Sequence, residues 1–108
     1  MPKLNDDQLK ELKGKHPDLE LVLLSSDTGD EVVVRAPSRA EWDRFRLLMN
    51  NDSRKMKAPE EMLFWCLLWP AKADLETLLD KRPGLAETFA SGVAGLAGAQ
   101  KDVEKKVL

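Results

Sequence analysis

One cysteine, one histidine and no apolar run longer than eight residues leave most chemistries without raw material in this 108-residue chain. A lone cysteine, Cys66, excludes an internal disulfide framework and fits a reducing compartment. The histidine, His16, has no cysteine or histidine at ligand spacing, which argues against a zinc site. A bilayer span needs about 20 consecutive apolar residues, and nothing here approaches that. Charge of one sign is also missing: 17 basic residues face 19 acidic ones, for a formal net charge of −2. No global field pulls the protein onto nucleic acid or an anionic membrane. The opening residues, MPKLNDDQLKELKGK, are polar, with neither an apolar signal region nor a lipidation motif. These features together predict a cytoplasmic protein.

Catalytic constellations are equally scarce. Cys66 sits inside an apolar run, where a free thiol behaves as a small hydrophobe, and nothing nearby in sequence would activate it. No local motif supports a Ser/His/Asp or Cys/His set. Asp27-Thr28-Gly29 echoes an aspartic-protease tripeptide, but one unpaired copy beside other turn formers reads as turn chemistry. The spaced glycines between Gly84 and Gly98 have no phosphate-loop lysine. The expectation is therefore a protein with no catalytic residues, no cofactor and no metal.

What is present is ordinary globular material, 43% hydrophobic and 33% charged. It predicts one domain over residues 1–98 and a charged, flexible tail over 99–108. The charge is unevenly spread. Residues 1–31 hold four lysines against eight carboxylates, whereas residues 35–57 hold seven basic residues against three acids. Solvated helix surface is the simplest reading of that basic stretch.

Local signals give an element order. Asn5 can cap a short helix that carries Leu9 and Leu12 and is stopped by Gly14 and Pro17. Residues 19–24 and 31–35 read as strands around a Ser-Ser-Asp-Thr-Gly-Asp turn, a hairpin over about 19–35. Ser38-x-x-Glu41 is a capping box, and it opens an amphipathic helix with Trp42, Phe45 and Met49 at i, i+3, i+7. Pro59-Glu60-Glu61 opens a third helix that runs through Met62–Trp69 to Pro70. Asp74 caps a fourth carrying Leu75, Leu78 and Leu79, and a fifth begins near Leu85 with Phe89, Val93 and Leu96. Gly92, Gly95 and Gly98 weaken this last helix but admit a close neighbour. The predicted class is α+β: a short N-terminal helix, a β-hairpin, and a mainly helical C-terminal part of about four helices.

The eight-residue run Met62-Leu63-Phe64-Trp65-Cys66-Leu67-Leu68-Trp69 holds two of the three tryptophans and has no charged face. It must be enclosed by this chain or by a partner. The larger pattern around it is more distinctive. A valine-rich strand runs into Val34-Arg35-Ala36-Pro37-Ser38-Arg39-Ala40-Glu41-Trp42-Asp43-Arg44-Phe45-Arg46. An apolar helix then ends at Trp69-Pro70, and Leu78-Leu79-Asp80-Lys81-Arg82-Pro83-Gly84-Leu85-Ala86-Glu87-Thr88-Phe89 follows. This arrangement, over residues 32–90, resembles small tail assembly proteins of long-tailed phages and prophages, of the tail assembly chaperone type. Such proteins carry a strand, an R-x-P-S/T-x-x-E helix start, a mid-chain apolar helix ending at proline, and a late RPGL turn. The acidic N-terminal helix has no counterpart in that pattern.

The resemblance implies a non-enzymatic chaperone that binds the long, apolar, helical tape measure protein and helps to recruit tail tube subunits, in the host cytoplasm. The family often makes a longer product by ribosomal frameshifting. The task requires an apolar surface that shields a partner helix and then releases it. The candidate partner-binding residues are Trp42, Phe45 and Met49 on one helix, and Met62, Trp65 and Trp69 in the apolar run. Other classes stay open. A structural virion or tail subunit, or an oligomerisation module, would self-assemble through the apolar run. A small nucleic-acid-binding regulator would need a continuous basic face around Arg39, Arg44 and Arg46, which Glu41 and Asp43 interrupt. An enzyme is the class least supported.

Overall fold

In the computed structural model, which describes residues 4–98 and 107, the chain is an α+β fold of five helices and a three-stranded antiparallel sheet. The order is α1 (Asp6–Lys15), β1 (Val22–Ser25), β2 (Glu31–Val34), α2 (Arg39–Met49), α3 (Ala58–Cys66), β3 (Leu67–Trp69), α4 (Lys72–Lys81) and α5 (Leu85–Leu96). The tail expected over 99–108 lies outside the described residues except for Val107, which is 97% exposed.

Helix starts follow local hydrogen-bonding chemistry. At α1, Asn5 accepts from the Gln8 N–H at 2.8 Å while Gln8 accepts from the Asn5 N–H at 3.0 Å, a reciprocal box. Gly14 lies inside this helix rather than ending it; the chain leaves at His16, just before Pro17. Ser38 and Glu41 form the same box at α2. α3 carries its proline in the first turn, where the missing N–H costs nothing. Asp74 does not cap α4. The cap is Ala71, in extended conformation after Pro70, and Asp74 sits in the first turn near the positive end of the helix dipole.

The largest correction concerns the apolar run, which is not one helix. α3 stops at Cys66, and Leu67–Trp69 become β3, antiparallel to β2. Two causes act together. Trp69 precedes Pro70, which disfavours helical backbone before it. β2 also has a second edge to pair: Val34 pairs with Leu67 and Val33 with Trp69, with a register shift between the two pairs.

β2 is buried on both faces. Val32 and Val34 join Met62, Leu63, Cys66, Leu75, Phe89 and Val93 in the main core. Val33 faces the other way, in register with Leu23 on one side and Trp69 on the other. The hairpin turn holds Gly29 at φ +85°, a conformation natural to glycine. Gly98, also at φ +85°, follows the C-cap of α5 and ends that helix.

Of the glycines on α5, Gly92 makes the close approach. A Cβ there would meet the methyls of Leu24 on β1 at 2.9 and 3.0 Å, whereas Gly95 faces open space. Gly95→Ala should therefore raise stability by up to about 1 kcal/mol through helix propensity. Gly92→Ala should gain distinctly less or lose, because Leu24 must repack. Chemical denaturation checks this, and equal gains at the two sites would contradict the packing.

Candidate functional site

Two arginines link elements distant in sequence. Arg35, just after β2, grips Glu41 of α2 with both terminal nitrogens, Nη1 to Oε1 at 2.7 Å and Nη2 to Oε2 at 3.0 Å. Nη2 also donates to the carbonyl of Trp65 at 2.9 Å, and the Arg35 backbone N–H donates to the carbonyl of Cys66 at 3.1 Å. Glu41 closes the circle by accepting from the Ser38 N–H at 2.9 Å. The bidentate pair joins the end of β2, the start of α2 and the end of α3. The guanidinium, followed by the Ser38 amide and hydroxyl, holds the Glu41 carboxyl down at about 2, against burial that opposes it.

The second link joins the hairpin turn to the end of α4. Asp30, 6% exposed, accepts from Thr28 Oγ1 at 2.5 Å and from Arg82 Nη1 at 2.9 Å. The Thr28 hydroxyl first, and the Arg82 charge after it, hold this carboxyl below its ordinary range despite burial. Each arginine belongs to a sequence motif singled out above: Arg35 to R-x-P-S-x-x-E and Arg82 to RPGL. Both motifs therefore encode fold contacts.

The candidate partner-binding residues separate into distinct settings. Trp42 and Phe45 are half-buried on α2 with ring centroids 5.2 Å apart. Met49 continues their row but is 42% exposed, and Leu48 takes the buried position beside it. Met62 is only 1% exposed, so it is not a free surface residue. Trp65 is half-buried beneath the Arg44 guanidinium, 4.8 Å from the ring centroid. Trp69 is half-buried on β3, in the sheet rather than on a helix. The apolar run thus divides: Met62, Leu63 and Cys66 are core, while Phe64, Trp65, Leu67, Leu68 and Trp69 are half-buried.

The structure does bring Phe45 and Met62 together. They border an open groove of about 220 Å³ between α2, α3 and α5, with Pro59 at one side and Ala90 and Ala94 at another. Ala90 and Ala94 escaped the sequence reading. Their signal is a row of small residues, Ala86, Ala90 and Ala94, at i+4 spacing on α5. The row leaves room where larger side chains would fill the space.

The basic stretch is largely neutralised. Arg39 and Arg46 both pair with Asp43, Arg54 with Glu61 and Lys55 with Asp52. Arg35 is committed to Glu41 and Arg44 lies on Trp65. Burial pushes the Cys66 thiol up to about 11, so it stays protonated and unreactive at neutral pH. Among the described residues no helix is long and apolar enough to cross a membrane.

No family model matches the chain, and no curated protein matches it. Among solved structures it is similar to an uncharacterised protein from Bacillus stearothermophilus, with 23% identity and a TM-score of 0.68, over 91% of this chain and 99% of that one. The likeness is one of fold.

The depressed Glu41 carboxyl sets a pH dependence. Its folded value, about 2, lies below the ordinary 4.5, so its stabilising contribution is complete above about 4.5 and is lost as pH falls toward 2. Asp30 acts in the same direction. Melting temperature should hold from pH 7 to 5 and drop below that. Glu41→Gln should be less stable at neutral pH by about 2–3 kcal/mol and lose less on acidification. An acid profile unchanged by Glu41→Gln would contradict the assignment.

Proposed function

We propose that this protein is a non-enzymatic assembly chaperone of the long-tailed phage kind, which cradles an apolar helical stretch of a tape measure protein and helps to recruit tail tube subunits. The observation that carries the reading is the groove between α2, α3 and α5. Its lining joins half-buried Phe45, Pro59 and Ala94 to buried Met62 and Ala90, with exposed Glu87 and Ser91 beside them, and Met49 extends the Phe45 row beyond it. The apolar row on α2 from Trp42 to Met49, of which Phe45 lines the groove, runs about 10 Å at about 1.5 Å per residue, the length of two helical turns. A volume near 220 Å³ suits one or two large apolar side chains, as helix-in-groove recognition requires. Shallow engagement of this kind releases its client easily, which an assembly factor needs. The protein would then act in the cytoplasm of the bacterial host.

The test is co-expression with a tape measure segment, followed by light-scattering chromatography. A soluble complex should form with the native chain and disappear with Ala94→Leu, which fills the groove. The variant's melting curve should show that it still folds. A native chain that never co-elutes with such a segment would overturn the reading.

A further inference from the structure

Beside the groove between α2, α3 and α5 lies a second cleft of about 340 Å³, bordered by Glu60, Glu76 and Asp80 together with Leu79, Pro83 and Ala86. The two are neighbours along two elements. On α3, Pro59 borders the groove and Glu60, the next residue, borders the cleft. On α5, Ala86 borders the cleft, and Ala90 and Ala94 border the groove one and two turns further on. Ala86 and Ala94 are about 12 Å apart at about 1.5 Å per residue, so a helix lying along α5 meets both within two to three of its own turns.

The charge along this path has one sign. Glu87 stands on the groove rim and three more carboxylates border the cleft, whereas no lysine, arginine or histidine borders either. Among the described residues, Glu60, Asp80 and Glu87 enter no salt bridge, and Glu76 has only a 3.9 Å contact with exposed Lys72. Arg82, two residues beyond Asp80, is held by Asp30. Glu76, Asp80 and Glu87 are exposed and Glu60 is half-buried, so their charge is presented to an occupant of the path. Such a surface attracts a cationic partner and repels an anionic one.

A helix that is apolar throughout suits Met62 and Ala90 but passes four carboxylates with nothing to set against them. A helix with lysine or arginine one to two turns beyond its apolar stretch satisfies both parts. We propose that the client segment is a helix of this second kind, with two apolar turns seated in the groove and basic residues beyond them facing Glu60, Asp80 and Glu87. The proposal rests on the groove as the client site and adds the charge that the client must carry. Rim charges of this kind speed encounter and choose among partners more than they prolong the bound state, which suits a client that has to be released.

Fluorescence anisotropy with two labelled helical peptides of about 18 residues tests it. Both peptides present a leucine face over their two central turns; the flanking turns hold lysine in one and glutamate in the other. At low salt the native chain should bind the lysine peptide about tenfold or more tightly than the glutamate peptide. An ionic strength of about 1 M, where the Debye length falls to about 3 Å, should bring the two affinities together. Glu60→Gln combined with Asp80→Asn should cut the lysine preference several-fold, and Asp80→Asn alone, at an exposed position, should cut it by less. Melting curves should show that these variants still fold. Ala94→Leu should weaken both peptides alike. Equal affinities for the two peptides would overturn the proposal and leave the groove reading standing, as would a lysine preference that the carboxylate variants do not reduce. Binding of neither peptide, or binding untouched by Ala94→Leu, would overturn both.

Discussion

The fold depends on one guanidinium. Arg35 leaves β2 with five N–H donors in a rigid fork, and its two terminal nitrogens reach Glu41 and the Trp65 carbonyl, one of those that the end of α3 leaves unpaired. A lysine would supply the charge without the fork and would satisfy one of these acceptors at a time. With the fork in place, the Trp65 carbonyl has a partner, and the Cys66 carbonyl is taken by the Arg35 backbone amide. The chain is then free to turn from helix into strand at Leu67. β3 can add to β2 because the same residue that ends β2 also terminates α3. Helix capping, sheet pairing and core closure meet at this point.

Asp30 and Arg82 do for the other end of the sheet what Arg35 does at its exit from β2. The hairpin turn is short and polar, and alone it would be marginal. Arg82 ties it to the loop that separates α4 from α5, so the turn, α4 and the start of α5 are held together. Between the two latches lies a core of valines, leucines, Phe89 and Met62 that needs no polar help. The groove opens at the edge of this core, where buried Met62 and Ala90 meet Phe45 and Ala94.

Much of the helical part was legible from short-range chemistry. Asn5, Ser38 and Pro59 announce their helices because capping is settled within four residues. The hairpin was legible for the same reason, with Gly29 at its turn. β3 was not, because eight apolar residues in a row have no period that separates a buried helix from a buried strand. Its identity is set by hydrogen bonds to β2, more than 30 residues earlier. The arginine latches show a similar divide. Ser38-x-x-Glu41 declares the capping box, but the second role of Glu41, as acceptor for Arg35, appears only in space. Asp30 and Arg82 are 52 residues apart, and no local rule connects them. At the candidate site, the aromatic row on α2 could be read from spacing. For Met62 the sequence leaves core and partner surface open, and the fold makes it core; the opposing alanines become informative only when α5 is laid against α3.

A double-mutant cycle between Arg35 and Glu41, with Arg35→Met, Glu41→Gln and the combined variant measured by chemical denaturation, tests the central claim most directly. A specific, partly buried bidentate pair that organises three elements should give a coupling energy of about 1.5–3 kcal/mol, against a few tenths for the surface pair Arg39–Asp43. Additive effects at Arg35 and Glu41, with a coupling near zero, would mean that the two residues stabilise the fold separately and that this pair is not what organises it.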